Sequence, residues 1–263
     1  MVAAVLLQVL AREGNRLAEL KARTQGRPLS VQPSRGVVEV NGVTRRYRKL
    51  VAVDGVSLAL EPGELVYLVG PSESGKTTLL RLIHGDIRPS SGTVRVRRTT
   101  LHRMSPRWRM RRLRRQVGAV FQDMRLLPDM NALENVSFAL QVADLWAPRR
   151  EVRLRARAGL EMVGLGSRGH TFPRQLSGGA QRRLAIARAL VRQPSILVAD
   201  EPTANLDKAN ADNVLRLLED LARQGTAVLV ATPQLPASGP GNHRVIEMEN
   251  GKVVRETPAR KEA

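Results

Sequence analysis

The sequence predicts an α/β fold, and three stretches carry that prediction. The first is Gly70-Pro71-Ser72-Glu73-Ser74-Gly75-Lys76-Thr77-Thr78, which fits the phosphate-loop pattern GxxxxGK[ST]. Before it, Glu64–Val69 (ELVYLV) has the length and composition of a short buried strand; after it, Thr77–His84 (TTLLRLIH) reads as a helix stopped by Gly85. The second stretch is Ile196-Leu197-Val198-Ala199-Asp200-Glu201, a buried strand that delivers two carboxylates at its C-terminal end. The third is Ser177-Gly178-Gly179, which leads into a helix over Arg182–Gln193 ended by Pro194.

Each stretch implies chemistry. A strand, a glycine loop and a helix in that order aim backbone N–H groups and the positive end of a helix dipole at one point, which a triphosphate satisfies. Lys76 then reaches the β- and γ-phosphates and the Thr77 hydroxyl ligates Mg²⁺. In a phosphate-loop enzyme Asp200 holds the Mg²⁺, largely through water, and Glu201 polarises the attacking water. Ser-Gly-Gly opening a helix is a second anion-binding N-terminus.

Composition bounds the rest. A chain of 263 residues buries one sizeable core, so one domain with subdomains is expected. With no cysteine, a disulfide framework and a thiolate metal site are both excluded. No apolar run approaches the ~20 residues of a membrane-spanning helix. Met1–Leu10 is too short for one and lacks the basic flank and cleavage site of a signal peptide. The chain is therefore expected to be soluble or peripheral to a membrane. A net charge of +19 suits a polyanionic neighbour, whether nucleic acid, acidic lipid or acidic protein. Only six of the 43 basic residues are Lys, however, and a GC-rich genome produces the same arginine skew through codon usage. Aromatic content of 3% argues against base-stacking platforms for single-stranded nucleic acid.

In chain order, Met1–Gly36 reads as an appendage. Val2–Leu20 puts Leu6, Leu10, Leu17 and Leu20 near one helical face, and Gln25–Gly36, broken by Gly26, Pro28 and Pro33, is a linker. An accessory amphipathic helix and residues added by an upstream start codon both account for it. Val37–Val40 is strand-like, Asn41-Gly42 is a hairpin turn signal, and Val51–Leu60 is a second strand before Glu61-Pro62-Gly63. Tyr47 between them stacks on adenine or is a half-buried strand residue. Arg88–Gly92 turns the chain into a strand at Thr93–Val96, and Gln116–Phe121 is another. Ile87–Gln122 holds eleven arginines and no acid, ten of them between Arg95 and Arg115. From Asn131 to Gly169 the apolar positions Leu133, Val136, Phe138, Leu140, Leu154, Leu160 and Met162 mark a helical insertion.

The succession GxxxxGKTT, Gln122, LSGGA, ILVADE and Asn205-Leu206-Asp207 resembles the ATP-binding cassette (ABC) ATPase family over about residues 37–256. The resemblance implies a cassette with a RecA-like core, an antiparallel β subdomain and a helical subdomain at about 123–175. The cassette then spans 37–257, after a 1–36 extension and before a 258–263 tail. It also implies that two copies close head to tail, each ATP lying between one phosphate loop and the partner's Ser-Gly-Gly. On that basis Tyr47 stacks on adenine and Gly70 to Thr78 cradle the phosphates. Gln122 senses Mg²⁺ and water, Asp200 holds Mg²⁺ and Glu201 is the base. Leu176, Ser177, Gly178, Gly179, Ala180 and Gln181 form the signature that reads the partner's γ-phosphate, and Asp207 lies in the dimer-spanning D-loop.

Within the family, Phe121–Pro128 (FQDMRLLP), Leu82–Gly85, Ala199–Asp207 and Arg244–Arg255 resemble the FtsE type of bacterial cell-division ATPases. Lipoprotein-release and macrolide-export ATPases share most of the same cassette. The FtsE type implies an integral membrane permease-like partner of the FtsX type, at the cytoplasmic face of the membrane, where anionic lipid is the nearest large polyanion. Nucleic acid is not expected: ABC proteins associated with it carry tandem cassettes or a coiled-coil insertion, and this chain has neither.

Three positions depart from the family pattern. Glu73 stands at a phosphate-loop position usually held by glycine, Pro233 stands where a switch histidine contacts the γ-phosphate, and Ala180 replaces the signature glutamate. The expected function is an ATPase subunit hydrolysing ATP slowly to drive a membrane partner; the alternative is a nucleotide-responsive scaffold that no longer hydrolyses it.

Overall fold

The computed structural model describes residues 36–143, 148–236 and 241–259. The expected N-terminal helix, nearly all of the linker and the last residues of the tail lie outside them. Among the described residues a four-stranded antiparallel sheet has the order β2 (Leu50–Leu60), β1 (Val38–Tyr47), β4 (Ser91–Val96), β5 (Thr99–Leu101). A six-stranded sheet has the order β10 (Lys252–Thr257), β9 (Arg244–Glu249), β3 (Leu65–Val69), β8 (Ala227–Thr232), β7 (Ile196–Asp200), β6 (Val117–Val120). β3, β6, β7, β8 and β9 run parallel, and β10 is an antiparallel edge.

The near-continuous apolar run of β3 follows from its place in the sheet, because both faces are covered. Val66 and Leu68 face α1 (Lys76–His84) and the antiparallel sheet in one core. Leu65 and Tyr67 face the other core, with α5 (Gly178–Leu190) and α6 (Lys208–Arg223). β7 divides in the same way, Ile196 and Val198 to the first core, Leu197 and Ala199 to the second. α1 therefore lies between two sheets, with Leu79, Leu80, Leu82 and Ile83 fully buried. Each such side chain contributes about 1.5–3 kcal/mol, against at most about 0.7 kcal/mol per residue from helix propensity. Packing, not propensity, holds α1 behind the loop. Gly85, at φ 77, closes it by donating its N–H to Leu82.

Asn41-Gly42 is not a hairpin turn. β1 runs straight through it, and the chain turns at Arg48-Lys49 instead. Val38, Val40 and Val43 are all buried, and strict alternation cannot bury two residues three apart. An extra residue at a bulge restores the parity, seen as register shifts against both β2 and β4.

The arginine-rich stretch is also more ordered than its composition suggests. It contains β5 and a helix, α2 (Arg107–Arg114), whose inward face is only Met110 and Leu113. The helical insertion consists of α3 (Ala132–Ala143) and α4 (Arg149–Met162). Leu133, Val136, Leu140 and Leu160 are buried as expected, but Phe138, Leu154 and Met162 are exposed. α4 turns Val152, Ala156, Gly159 and Leu160 inward, a stripe that leaves Leu154 on the opposite face and Met162 to one side. α5 begins at Gly178 rather than Arg182, because Ser177 caps it by accepting from the Ala180 N–H at 3.3 Å.

Candidate active site

Register brings the site together. Val69 lies opposite Thr232, Asp200 opposite Ala231, and Val120 opposite Ala199. β3, β8, β7 and β6 thus end side by side, and the residues that follow them are Gly70, Pro233, Glu201 and Phe121-Gln122. This carboxyl edge is where open parallel sheets take their ligands.

The loop is braced from outside. Gly75 has φ 99, and a Cβ there would collide with the Ala52 carbonyl of β2, so only glycine fits. The Gly251 N–H donates to the Ser74 carbonyl at 3.1 Å. Lys76, 6% exposed, donates from Nζ to the carbonyls of Gly70 and Pro71, each at 2.7 Å, and to Ser74 Oγ at 3.2 Å. Burial pulls its ammonium below the ordinary value, and the Glu201 and Asp200 carboxylates work the other way. Pro71, Ser72, Glu73 and Thr77 are exposed along the same loop and Thr78 is half-buried.

Asp200 is 4% exposed and accepts a hydrogen bond from the Thr77 side chain. Glu201 sits at φ 48, an uncommon backbone state for a residue with a Cβ, while its N–H donates to Ala231 at 2.8 Å. Gln122 Nε2 approaches Glu201 Oε2 at 3.4 Å. Tyr47 lies at the tip of the β1–β2 hairpin, the hairpin whose Ala52 borders Gly75; its ring is partly exposed beneath the Arg45 guanidinium, 4.5 Å from the ring centroid.

The signature residues form a second group. Ser177 caps α5, Gln181 Nε2 donates to the Leu176 carbonyl at 3.0 Å, and Ala180 is buried in the core. Gly178 faces Leu206, and a Cβ on Gly179 would press on Asn210. Asp207 caps α6, accepting from the Asn210 N–H at 3.0 Å; that bond holds its carboxyl below the usual carboxylate range. Among the described residues no hydrogen bond or ion pair joins the signature to the phosphate loop.

One residue that the sequence does not single out belongs to the site. Arg182 on α5 is 3% exposed; its Nη2 donates to the Ala204 carbonyl at 3.4 Å, while Nε and Nη1 are buried without a partner. Burial lowers its pKa, opposed by the charges of Glu201 and Asp200. An Arg-Arg pair inside a helix reads as a solvated face, and nothing local in the sequence shows that one of the two is buried within the field of the carboxylates.

Among the described residues no cluster of three or more His, Cys, Asp or Glu exists to hold a metal alone. A single buried carboxylate beside a threonine hydroxyl suits Mg²⁺ instead, which keeps several waters and shares its coordination with substrate phosphates. Thr77 and Asp200 are the residues that would hold it, and it would neutralise phosphate charge there.

Two predictions arise from this geometry. Burial raises the pKa of Asp200 above its ordinary value, and the Thr77 hydrogen bond only partly offsets it. The folded pKa exceeds the unfolded one, so stability is fully present below the unfolded value and is lost as pH rises through the folded value. Asp200→Asn should therefore raise the Tm of the nucleotide-free chain at neutral pH, by about 2–4 °C per kcal/mol recovered. The gain should vanish below pH ~3, where the carboxyl is protonated in both states, and Mg²⁺-dependent nucleotide binding should be lost. Thermal melts at both pH values check this, and a lower Tm at neutral pH would overturn it.

Glu73 is the other case. Its φ is 66, so the left-handed position is real, and strain of roughly 1–2 kcal/mol is already present without nucleotide. Strain common to the free and bound states does not alter affinity; charge does. A carboxylate about 6 Å from a phosphate charge costs on the order of 2–3 kcal/mol at an effective dielectric of 20, and less at an exposed rim. Glu73→Gly and Glu73→Gln should both tighten ATP about tenfold. If only Gly does so in a titration, charge is not what opposes ATP and this account of Glu73 is wrong.

A phosphate loop and a carboxylate pair at the carboxyl edge of a parallel sheet define a P-loop nucleotide-binding protein. The ABC transporter family profile matches residues 53–204, more than half of the chain, and the chain belongs to that family. It is 40% identical over 221 residues to the cell division ATP-binding protein FtsE of Streptococcus pneumoniae, covering 84% of this chain and 95% of that one. The FtsE of Escherichia coli K12 is 42% identical over 202 residues, 77% and 90% of the two chains. Among solved structures, an ATP-binding cassette captured as a dimer in a post-hydrolysis state bound to ADP and Pi superposes with a TM-score of 0.76. It is 33% identical, over 85% of this chain and 99% of that one.

Proposed function

We propose that the chain is the ATP-binding subunit of a cell-division ABC complex of the FtsE–FtsX kind, hydrolysing ATP slowly to drive an integral membrane partner. The observation that carries the reading is the convergence of Lys76, Thr77, Gln122, Asp200 and Glu201 at one sheet edge, in a chain whose relatives are FtsE proteins. Two copies close head to tail, so that Leu176 to Gln181 of each, with Asp207, meet the ATP on the other. Tyr47 stacks on adenine, Mg²⁺ lies at Thr77, Asp200 and Gln122, and Glu201 is the base. Among the described residues no helix is long and apolar enough to cross a membrane. Attachment to the cytoplasmic face runs through the FtsX-type partner, with the arginine-rich face toward anionic lipid.

A second reading, a nucleotide-responsive scaffold without hydrolysis, is favoured by Pro233 and Glu73. Pro233 brings neither a side-chain donor nor an N–H to the edge where the γ-phosphate sits, and in a homodimer both sites carry the same defect. Steady-state phosphate release by the full chain, alone and with its FtsX-type partner, separates the two. Release stimulated by the partner supports the ATPase; none in either condition supports the scaffold. Co-purification with a lipoprotein-release or macrolide-type permease instead would move the chain to the exporter branch.

A further inference from the structure

Two concave sites flank the pair Arg45 and Arg88. One, of about 560 Å³, is lined by Arg45, Arg88, Arg107, Arg111 and Arg114, with Asp86 its one acid. The other, of about 530 Å³, shares Arg45 and Arg88 and adds Arg46, Arg103, Ser90 and Ser91. Three of the arginines come from α2 at positions 107, 111 and 114, a spacing that puts them on one helical face. The others arrive from the end of β1 and the turn after α1, so the cavity exists only in the folded chain.

The charge in this cavity is not compensated locally. Asp86 is already engaged: its Oδ1 lies 3.1 Å from His84 Nδ1 and its Oδ2 3.7 Å from Arg125 Nη1. Arg45 Nη1 donates to the Arg88 carbonyl at 3.0 Å, which orders the pair without neutralising it. The Nε atoms of Arg45, Arg88 and Arg114 are buried with no hydrogen-bond partner. Among the described residues none of Arg45, Arg88, Arg107, Arg111 and Arg114 forms an ion pair; of the ten arginines from Arg95 to Arg115, Arg95 alone does, with Glu39. Guanidinium groups do not deprotonate to relieve such crowding. A concave wall of them concentrates positive potential, and their planar forks match phosphoryl oxygens two at a time.

We propose that this cavity binds a ligand carrying two or more phosphoryl groups, at a site separate from the ATP site. It shares no residue with the phosphate loop, Gln122, Asp200 or Glu201; its one link to the ATP site is Arg45, which also lies over the Tyr47 ring. Five guanidiniums in a small-molecule-sized space exceed what one phosphate occupies. The phosphoryl groups come from a phospholipid headgroup or from a soluble polyphosphate; only the first source rests on the membrane reading above.

The full chain carrying Lys76→Ala, which weakens the ATP site, is titrated with inorganic tripolyphosphate by calorimetry at roughly 0.15 M salt. The chain without that change is sedimented with phosphatidylcholine vesicles containing either cardiolipin or phosphatidylglycerol at matched net charge. Both are repeated with Arg88→Ser, Arg111→Ser and Arg114→Ser together. Tripolyphosphate affinity falling on the order of 10²-fold, about fivefold per arginine, supports a soluble ligand. A cardiolipin preference that the triple variant abolishes supports the headgroup. Should the triple variant fold poorly, judged by its ATP binding with Lys76 intact, Arg107→Ser with Arg111→Ser, both at exposed positions, replaces it with an expected loss of about 25-fold. If neither probe responds to the arginine changes, the proposal is wrong.

Discussion

Glu201→Gln lowers steady-state phosphate release by about 10²–10⁴-fold, the range for loss of a positioned general base, while ATP binding survives. Binding survives because its charged contacts come from Lys76, Thr77 and Asp200, none of which depends on Glu201 for its hydrogen bonds. Turnover falls because an amide accepts no proton. The Gln122 contact is to a side-chain oxygen of Glu201, and a glutamine oxygen accepts it equally well. The backbone at φ 48 is unchanged by an isosteric substitution. ATP then persists between two copies, so gel filtration with ATP should shift the variant toward the dimer. Turnover unaffected by the change would remove Glu201 from the role of base.

Pro233→His acts in the opposite direction and raises turnover on the order of 10²-fold, since one preorganised donor to developing charge is worth about 10²–10³ in rate. The structure permits the substitution. Pro233 is exposed immediately after β8, and Thr232 lies opposite Val69, so position 233 leaves the sheet beside Gly70. The turn there is held by Thr232 Oγ1 donating to the Gln234 carbonyl at 2.7 Å, a bond that uses no atom of residue 233. Histidine accepts the φ that proline imposes. Phosphate release by the variant is the measurement. Unchanged turnover, with ATP affinity also unchanged, would show that the missing donor is not what limits hydrolysis. Pro233→Ala controls for relief of the proline itself and should leave turnover low.

The parts of the site that were legible in the sequence are those made by neighbours in the chain. The phosphate loop, its strand and its helix occupy twenty-odd consecutive residues, and the apolar run into Asp200-Glu201 is shorter still. Signals spread over the fold were not legible. Asn41-Gly42 has the composition of a hairpin turn, yet the parity of Val40 and Val43 makes it a bulge, and parity matters only once a core decides which residues face inward. α2 offers Met110 and Leu113 as its only buried residues among five arginines, too thin a stripe to mark a helix before β5 and α1 supply the surface it covers. Phe138, Leu154 and Met162 follow a helical period but fall off the stripe that α3 and α4 bury.

By itself the sequence determined that this chain is α/β, that it carries a phosphate loop with its lysine, threonine and two carboxylates, and that it resembles the ABC family. These are short-range properties: a glycine loop with its lysine and threonine in register, a Ser-Gly-Gly ahead of a helix, a run of apolar residues long enough to cross a covered sheet. Only the tertiary structure decided that Gln122, Glu201 and Pro233 share an edge with the loop, because that depends on the order and register of β6, β7, β8 and β3. It also decided that Arg182 is buried within the field of the carboxylates, and that arginines from position 45 to position 114 close around one cavity. Charge in a sequence carries no direction. Side-chain direction follows from which face of each element is buried, and burial is settled between elements rather than within them.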